Sequence, residues 1–558
     1  MATERIYQFT PERLSSLYAL LKYGSELAGP DGEALQYFGR GISYGELLDS
    51  INLCAAGFTA EGVKPGDSIT IYLPNIPQCI VAIYAINRIG AICNLVHPLL
   101  SRSELEYAVQ LTKSRFILAF ESNEGVCRGL GAKVIRCRTP SYFPTGMKGA
   151  VMRAVFTYSV RSAAKSIFVE EWDELIENGR LYLANGGTVP ERKGTARETA
   201  AIMYTGGTTG QPKGVLLSNE AMNRNAATLI SSLFHDHVPA LGTSFLGVLP
   251  AFHAFGFGVT IHQALCGGMR LIMVPKFEPK SCAKLILKEK ISAVVGVAAM
   301  FEKMYPYLKD EDLLFIRIIG GGGDLMSSDL IDKYNAILPN AVFRLGYGMT
   351  EVCGCCLFTG ETDNNLSPGA VGLPMGDTEL CLTNPGTTTV IPNSSDGELC
   401  VRNSSLMTGY YQNEKATAGV LRKHADGKIW LHTGDMVTID ANSNVIFKSR
   451  YKRMVKVNGF NVYPSVIENT MSLCPLINEI CAVGIPWEES ARIKLYVTLM
   501  HPEMNHEEAS EEIKQYAFAH LNRWSCPKEV HIIPEMPRTK LNKVDYTVFE
   551  EHESEKCA

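Results

Sequence analysis

The chain has 558 residues, 46% of them hydrophobic and 20% charged, with 49 glycines and 27 prolines. That is ordinary globular composition, in a chain long enough to bury a large core in more than one domain. Lys and Arg number 53 against 58 Asp and Glu, a formal net charge of -5, so nucleic acid is not an expected partner. The 16 cysteines follow no repeating framework, and the opening MATERIYQFTPERL lacks the apolar core of a secretory signal. Reduced thiols and a cytoplasmic location are therefore expected. The ending SEKCA matches neither a peroxisomal address nor a prenylation box.

In chain order, the first unusual stretch is 141–167, SYFPTGMKGAVMRAVFTYSVRSAAKSI, which has Lys148, Arg153, Arg161 and Lys165 and no acidic residue. Met147, Val151, Ala154, Val155 and Tyr158 share one face at helical spacing. A basic amphipathic helix of this kind lies on an anionic membrane as a peripheral contact. Its charges also spread beyond one face, which suits a solvated helix covering the domain, and both readings stand.

Short β-branched runs that end in glycine turns come next: AAIMYTGG (200–207), LIMVPKF (271–277), SAVVGV (292–297) and IRIIGGGG (316–323). Helix-length segments 279–290 and 327–338 separate them. The alternation predicts an α/β fold with mostly parallel strands and binding loops at the strands' carboxyl ends. Residues 245–269 contain no Asp, Glu, Lys or Arg, a length that could span a bilayer. Pro250, His253, His262 and five glycines in that run make it buried core instead. Past about residue 448 the basic, turn-like SRYKRMVKVNGFNVYP changes the texture. We expect a large N-terminal domain of several subdomains over 1–449 and a small α+β domain over 450–558.

The stretch YTGGTTGQPKGV (204–215) reads as a phosphate grip. It fails the Walker pattern, because Lys213 follows Pro212 and the hydroxyls of Thr205, Thr208 and Thr209 precede it. What remains is a loop in which Gly206, Gly207 and Gly210 let backbone N–H groups approach an anion. Thr208 and Thr209 add hydroxyl donors, and Lys213 adds a point charge.

This loop resembles the signature of the acyl-adenylate-forming (AMP-binding) superfamily, which includes acyl- and aryl-CoA synthetases, peptide-synthetase adenylation domains and firefly-type luciferases. PAFHAFGFG (250–258), GYGMTE (346–351), GELCVRNSSLMTGYY (397–411), LHTGD (431–435), SRYKRMVKVNGFNVYP and PRTKLNKVD (537–545) follow in the family's order. The resemblance implies ATP, Mg²⁺ and coenzyme A, with a mobile C-terminal domain turning at Lys452. It places Tyr347 on adenine, with Gly346, Gly348, Gly321 and Gly322 close to the nucleotide. Glu351 would hold Mg²⁺ with Thr208, and Thr350 beside it would serve the chemistry. Asp435 and Arg450 would take ribose, Lys456 the nucleotide, and Gly459 would flank the pantetheine tunnel. Lys543 would be the catalytic cation between the carboxylate and the α-phosphate. The family usually has glycine where Asn542 stands, a basic residue at Tyr546 and often an acid at Arg453.

His253 lies either near the acyl carboxylate or in the core as a satisfied histidine. FHAFG carries no aspartate to pair with an amino group, so a plain carboxylic acid is the expected small-molecule substrate. The glycines of 320–323 leave either a roomy acyl tunnel or a turn filled by neighbouring side chains. Cys353, Cys355 and Cys356 fit no zinc spacing and are read as pocket wall. A medium- or long-chain fatty acid is the leading substrate and an aryl acid such as a cinnamate the second. A carrier-loading enzyme, a catalytically weak acyl- or nucleotide-binding relative and a luciferase-like oxidase complete the alternatives. Oligomeric state is not legible.

Overall fold

The computed structural model describes residues 9–144, 146, 149–150, 152, 169–190, 192, 195–205, 212–233, 241–323, 326–359, 370–458, 460–487, 490–538 and 544–557. These form two compact units, one of residues 1–365, 371–379 and 402–419, the other of 366–370, 380–401 and 420–558.

The first unit contains two sheets. One orders its strands Gly409–Tyr410, Lys213–Ser218, Thr199–Thr205, Ile92–Leu95, Ser68–Tyr72, Phe116–Phe120, Lys133–Cys137 and Val169–Glu171. It is parallel from Thr199–Thr205 onward and antiparallel at the Lys213–Ser218 edge. In the other sheet, Glu33–Tyr37, Arg270–Met273, Ser244–Gly247, Ala293–Gly296, Ile318–Gly322 and Val342–Tyr347 are parallel neighbours. The expected strands are therefore present, each within a few residues of its sequence run.

Helices Pro279–Glu289 and Ser328–Ile337 fill the connections that the spacing predicted. The first is set by its own sequence. Pro279 occupies the opening turn, where its missing N–H costs nothing, and Glu278 accepts from Lys280 N and Ser281 N. Cys282, Ala283 and Ile286 form its buried stripe.

The charge-free run is core, as read. After Ser244–Gly247 it forms one turn over Ala254–Gly256, a π-helical turn over Phe257–His262 and a further turn over Gln263–Cys266, nearly all buried. Asn75 ties down its irregular part, donating to Gly247 O and Leu249 O and accepting from Ala251 N. No described helix is long and apolar enough to cross a membrane. Most of 141–167 lies outside the described residues.

The second unit pairs Gly397–Arg402 with Ile429–Ile439, which also pairs with Leu421–Lys423 and Val445–Arg450, all antiparallel. Beyond these comes the hairpin of Val455–Val457 and Phe460–Val462. A three-stranded sheet of Ile477–Trp487, Ser490–Leu499 and Glu529–Ile532 follows. Ile467, Met471, Leu495, Val497, Ile513 and Ala517 make the main part of its core.

Candidate active site

Strands Thr199–Thr205 and Lys213–Ser218 pair antiparallel, with Thr205 opposite Lys213, so the glycine-rich loop closes this hairpin. Gly206, Gly207, Thr208, Thr209 and Gly210 lie outside the described residues. Lys213 is held at the loop's base, its Nζ 4.6 Å from the centroid of the Tyr410 ring. The Tyr410 hydroxyl donates in turn to Glu351 Oε1 at 2.7 Å. Burial and the adjacent Glu351 carboxylate push the Tyr410 phenol up, so it remains a donor. Lys213, Tyr410 and Glu351 thus form a chain joining the phosphate loop to the proposed Mg²⁺ ligand. Tyr410 falls within a recognised motif, but its role was missed, because nothing in the local pattern says what its hydroxyl reaches.

Glu351 sits in the short turn Thr350–Val352, beyond the carboxyl end of Val342–Tyr347, with Thr350 buried and Glu351 half-buried. Met407 N donates to the Glu351 backbone carbonyl at 2.8 Å. With its carboxylate held by Tyr410, Glu351 suits a hard cation such as Mg²⁺ that prefers oxygen ligands, and Thr208, the other expected ligand, lies outside the described residues. Tyr347 ends the strand and Gly348 follows it. The loop folds back so tightly that a Cβ on Gly348 would lie 2.3 Å from Gly354 O. Only glycine fits there, which explains the second glycine of G-Y-G. At Gly346 the nearest atom to an added Cβ is Cys355 Sγ at 3.1 Å, a tight contact.

A cavity of about 610 Å³, counting its open mouth, lies at the carboxyl ends of Ile318–Gly322 and Val342–Tyr347. Leu233, Val259, Val295, Ile318, Met349 and Phe358 supply much of its wall. The glycine run opens no wide tunnel. A Cβ on Gly321 would meet Met326 Sδ at 2.3 Å, and one on Gly322 would meet Phe255 at 3.0 Å. Neighbouring side chains have taken the space, as the second reading of 320–323 had it.

His253 lines the cavity and is exposed, with Nδ1 accepting from Phe255 N at 3.2 Å. The core reading of His253 is excluded by that exposure. Cys355 lines the wall as a neutral thiol, its pKa pushed up to about 12 by burial. Burial pushes Cys353 up as well. Sequence reasoning also missed Gln263 and Arg344, both buried and both lining the cavity. Neither polar atom of the Gln263 side chain has a hydrogen-bond partner among the described residues.

In the second unit, Asp435 lies opposite Arg450 in register, and Arg450 Nε pairs with Asp435 Oδ1 at 2.9 Å. Asp435 is fully buried and Arg450 largely exposed. Gly434 takes the left-handed φ of +72° and Asp435 N donates to Thr433 Oγ1, which shapes the T-G-D turn. The two residues assigned to ribose are therefore brought together. Lys456 is exposed on Val455–Val457. Gly459, Asn542 and Lys543 lie outside the described residues, as does the Lys452 side chain. The unusual Arg453 and Tyr546 meet: the guanidinium stands 4.4 Å from the ring centroid and also pairs with Glu468 at 2.7 Å.

The AMP-binding enzyme family matches residues 27–411, and the AMP-binding enzyme C-terminal domain matches 466–543. The chain belongs to the AMP-binding enzyme family. Among its relatives is a long-chain-fatty-acid–CoA ligase of Bacillus subtilis, 25% identical over 92% of this chain and 90% of the relative. A 4-coumarate–CoA ligase, CCL1 of Humulus lupulus, is 27% identical over 90% of this chain and 87% of its own. The fold is that of the anthranilate CoA ligase AuaEII, with a TM-score of 0.80 and 17% identity, covering 97% of this chain and 98% of that one. O-succinylbenzoate coenzyme A synthetase of Bacillus subtilis matches at a TM-score of 0.77 and 21% identity, over 95% and 99% of the two chains. The AMP-binding enzyme described here is thus an adenylate-forming acyl- or aryl-CoA ligase. The O-succinylbenzoate synthetase was solved with ATP and a magnesium ion, and the two relatives named above are coenzyme A ligases.

Proposed function

We propose that the chain converts a medium- or long-chain fatty acid to its coenzyme A thioester. The observation that carries this reading is the cavity wall. It is lined by glycines and mostly apolar side chains, with Gln263, Arg344 and His253 as polar members, and none of its described residues is Asp or Glu. An alkyl tail gains from that surface, at about 25 cal/mol per Å² of apolar area buried. An amino acid would find no counter-charge there. Aryl acids are the second reading, favoured by Phe255 and Phe358 in the same wall.

In the first half-reaction a carboxylate oxygen attacks the α-phosphorus and pyrophosphate leaves. The 205–213 loop would hold the phosphates through Thr205, Gly206, Gly207, Thr208, Thr209, Gly210 and Lys213. Glu351 and Thr208 would hold Mg²⁺, which offsets phosphate charge when bound. Tyr347, with Gly321, Gly322, Gly346 and Gly348 close by, would take adenine, and Asp435 and Arg450 the ribose. His253 and Thr350 would serve the carboxylate end, and Lys543 would neutralise the repulsion between the reacting anions. In the second half-reaction the coenzyme A sulfur attacks the acyl carbon, AMP leaves, and the thiol proton passes to solvent. Residues 450–558 would turn about Lys452 between the steps, with Lys456 and Gly459 serving the second arrangement.

Pyrophosphate release from MgATP should be measured over acids from acetate through palmitate, with cinnamate and cholate, with and without coenzyme A. Release that peaks with an alkyl acid and is accelerated by coenzyme A is the expected result. A peak at cinnamate selects the aryl reading. Release indifferent to coenzyme A, or none at all, overturns the thioester step.

A further inference from the structure

Four side chains of metal-ligand type converge in the second unit, well apart in sequence. Cys381 lies on Glu379–Thr383, Cys400 on Gly397–Arg402, His424 just past Leu421–Lys423, and His432 on Ile429–Ile439. The Nε2 atoms of His424 and His432 are 2.9 Å apart. Cys400 Sγ is 3.5 Å from His432 Nδ1, and Cys381 Sγ is 3.9 Å from His424 Nδ1. Ligand atoms of Cys400, His424 and His432 all lie within 4.8 Å of one another, and all three residues are buried.

The surroundings add what a cation site requires. Glu398 Oε2 lies 3.2 Å from His432 Nδ1, so Nδ1–H donates to the carboxylate and the Nε2 lone pair faces His424. That carboxylate–imidazole arrangement is the one that orients metal-bound histidines. A simple hydrogen bond accounts for the imidazole contact. It does not account for a thiol and two imidazoles, all buried, with ligand atoms within 4.8 Å of one another.

We propose that Cys381, Cys400, His424 and His432 form a structural site for a thiophilic divalent cation of the zinc type. Cys400, His424 and His432 would supply three ligands, and Cys381, 3.9 Å from His424 Nδ1, would swing in as the fourth, which would make the site closed and non-catalytic. Binding ionises both thiols and releases two protons as the sulfurs become thiolate ligands. The ion would brace the strand that carries Asp435. Glu398 already joins that strand to its neighbours, accepting from Gly434 N at 3.2 Å and Gly386 N at 3.0 Å.

The test uses the full chain, stripped with a chelator, reloaded with Zn²⁺ and dialysed, with metal counted by elemental analysis. One zinc per chain is expected to be retained, with His424→Gln and the Cys381→Ser/Cys400→Ser pair weakening it at least about tenfold. Retention undiminished in these variants, or no retention by the native chain, overturns the proposal. Co²⁺ loaded into the native chain needs no variant to fold. Intense visible bands with sulfur-to-metal charge transfer are expected from a tetrahedral thiolate site, and the weak spectrum of octahedral Co²⁺ also overturns it.

Discussion

Single side chains set the reach of the candidate active site. A hydrogen bond to a charged group contributes about 1.5–3 kcal/mol, and the Tyr410 hydroxyl makes one to Glu351. Tyr410→Phe should therefore lower the melting temperature by a few degrees and raise the Mg²⁺ concentration for half-maximal pyrophosphate release by roughly tenfold. Titration of pyrophosphate release with Mg²⁺ checks it, and an unchanged midpoint would detach Tyr410 from the metal. Gln263 makes the opposite case. Its buried amide, without partners among the described residues, costs about 1–3 kcal/mol of desolvation. Gln263→Leu, close in shape, should raise the melting temperature and lower KM for alkyl acids, as read by thermal melts and the acid panel. Both residues show why the sequence falls short here. Tyr410 meets Glu351 across 59 residues, and Gln263 is one polar residue in a long apolar run, where only folding tells cavity from core. Arg453 and Tyr546 read separately as departures from the family pattern. In the fold they are one contact.

Among the elements, the π-helical turn Phe257–His262 is where local pattern and tertiary context part company. The composition of 245–269 was enough to reject a membrane span, and the strand after it, Arg270–Met273, overlaps the run read at 271–277, while Ser244–Gly247 before it went unread. A π-turn has no sequence signature of that kind, because it depends on what its side chains bond. Here His262 Nδ1 meets Tyr84 Oη at 2.8 Å, and His262 Nε2 meets Asn223 Oδ1 at 2.8 Å. Burial drives the His262 pKa down to about 3, so the folded chain keeps it neutral. The unfolded chain takes up that proton near pH 6.5, so between about pH 6.5 and 3 the unfolded state binds more protons. Stability from this residue is thus present above pH 6.5 and lost as pH falls towards 3. Melting temperature followed from pH 7 down to pH 4 should fall, and His262→Gln should flatten the part of that slope due to one group. A variant whose pH slope equals the native slope would assign the loss to other groups. In the hairpin of Thr199–Thr205 and Lys213–Ser218, strand composition and turn chemistry marked the first strand and the loop, while the second strand appeared only through its pairing.

At the scale of the whole molecule, the order of motifs was readable because each one is local: a loop, a strand end, a turn. The packing was less so. The 380–401 segment precedes residue 420 by a stretch that belongs to the first unit, yet it packs in the second, because Gly397–Arg402 pairs with Ile429–Ile439. Strand pairing at that separation follows from register and shared core, neither of which a local window contains. The proposed division of labour at Lys452 can be tested on each half-reaction separately. Proline fixes φ near −65° and removes an N–H, so Lys452→Pro should restrict turning at that point. Lys543→Ala removes the cation proposed to sit between two anions. Single-turnover measurements should show Lys543→Ala slowing adenylate formation by at least about a hundredfold, in the range that loss of one preorganised electrostatic contact costs. Thioester formation from a supplied acyl-adenylate should change little. Lys452→Pro should give the reverse pattern, with adenylate accumulating and its transfer to coenzyme A slowed. If both variants lose both half-reactions in equal measure, a hinge that separates the two steps is the wrong account, and the two lysines serve one common arrangement.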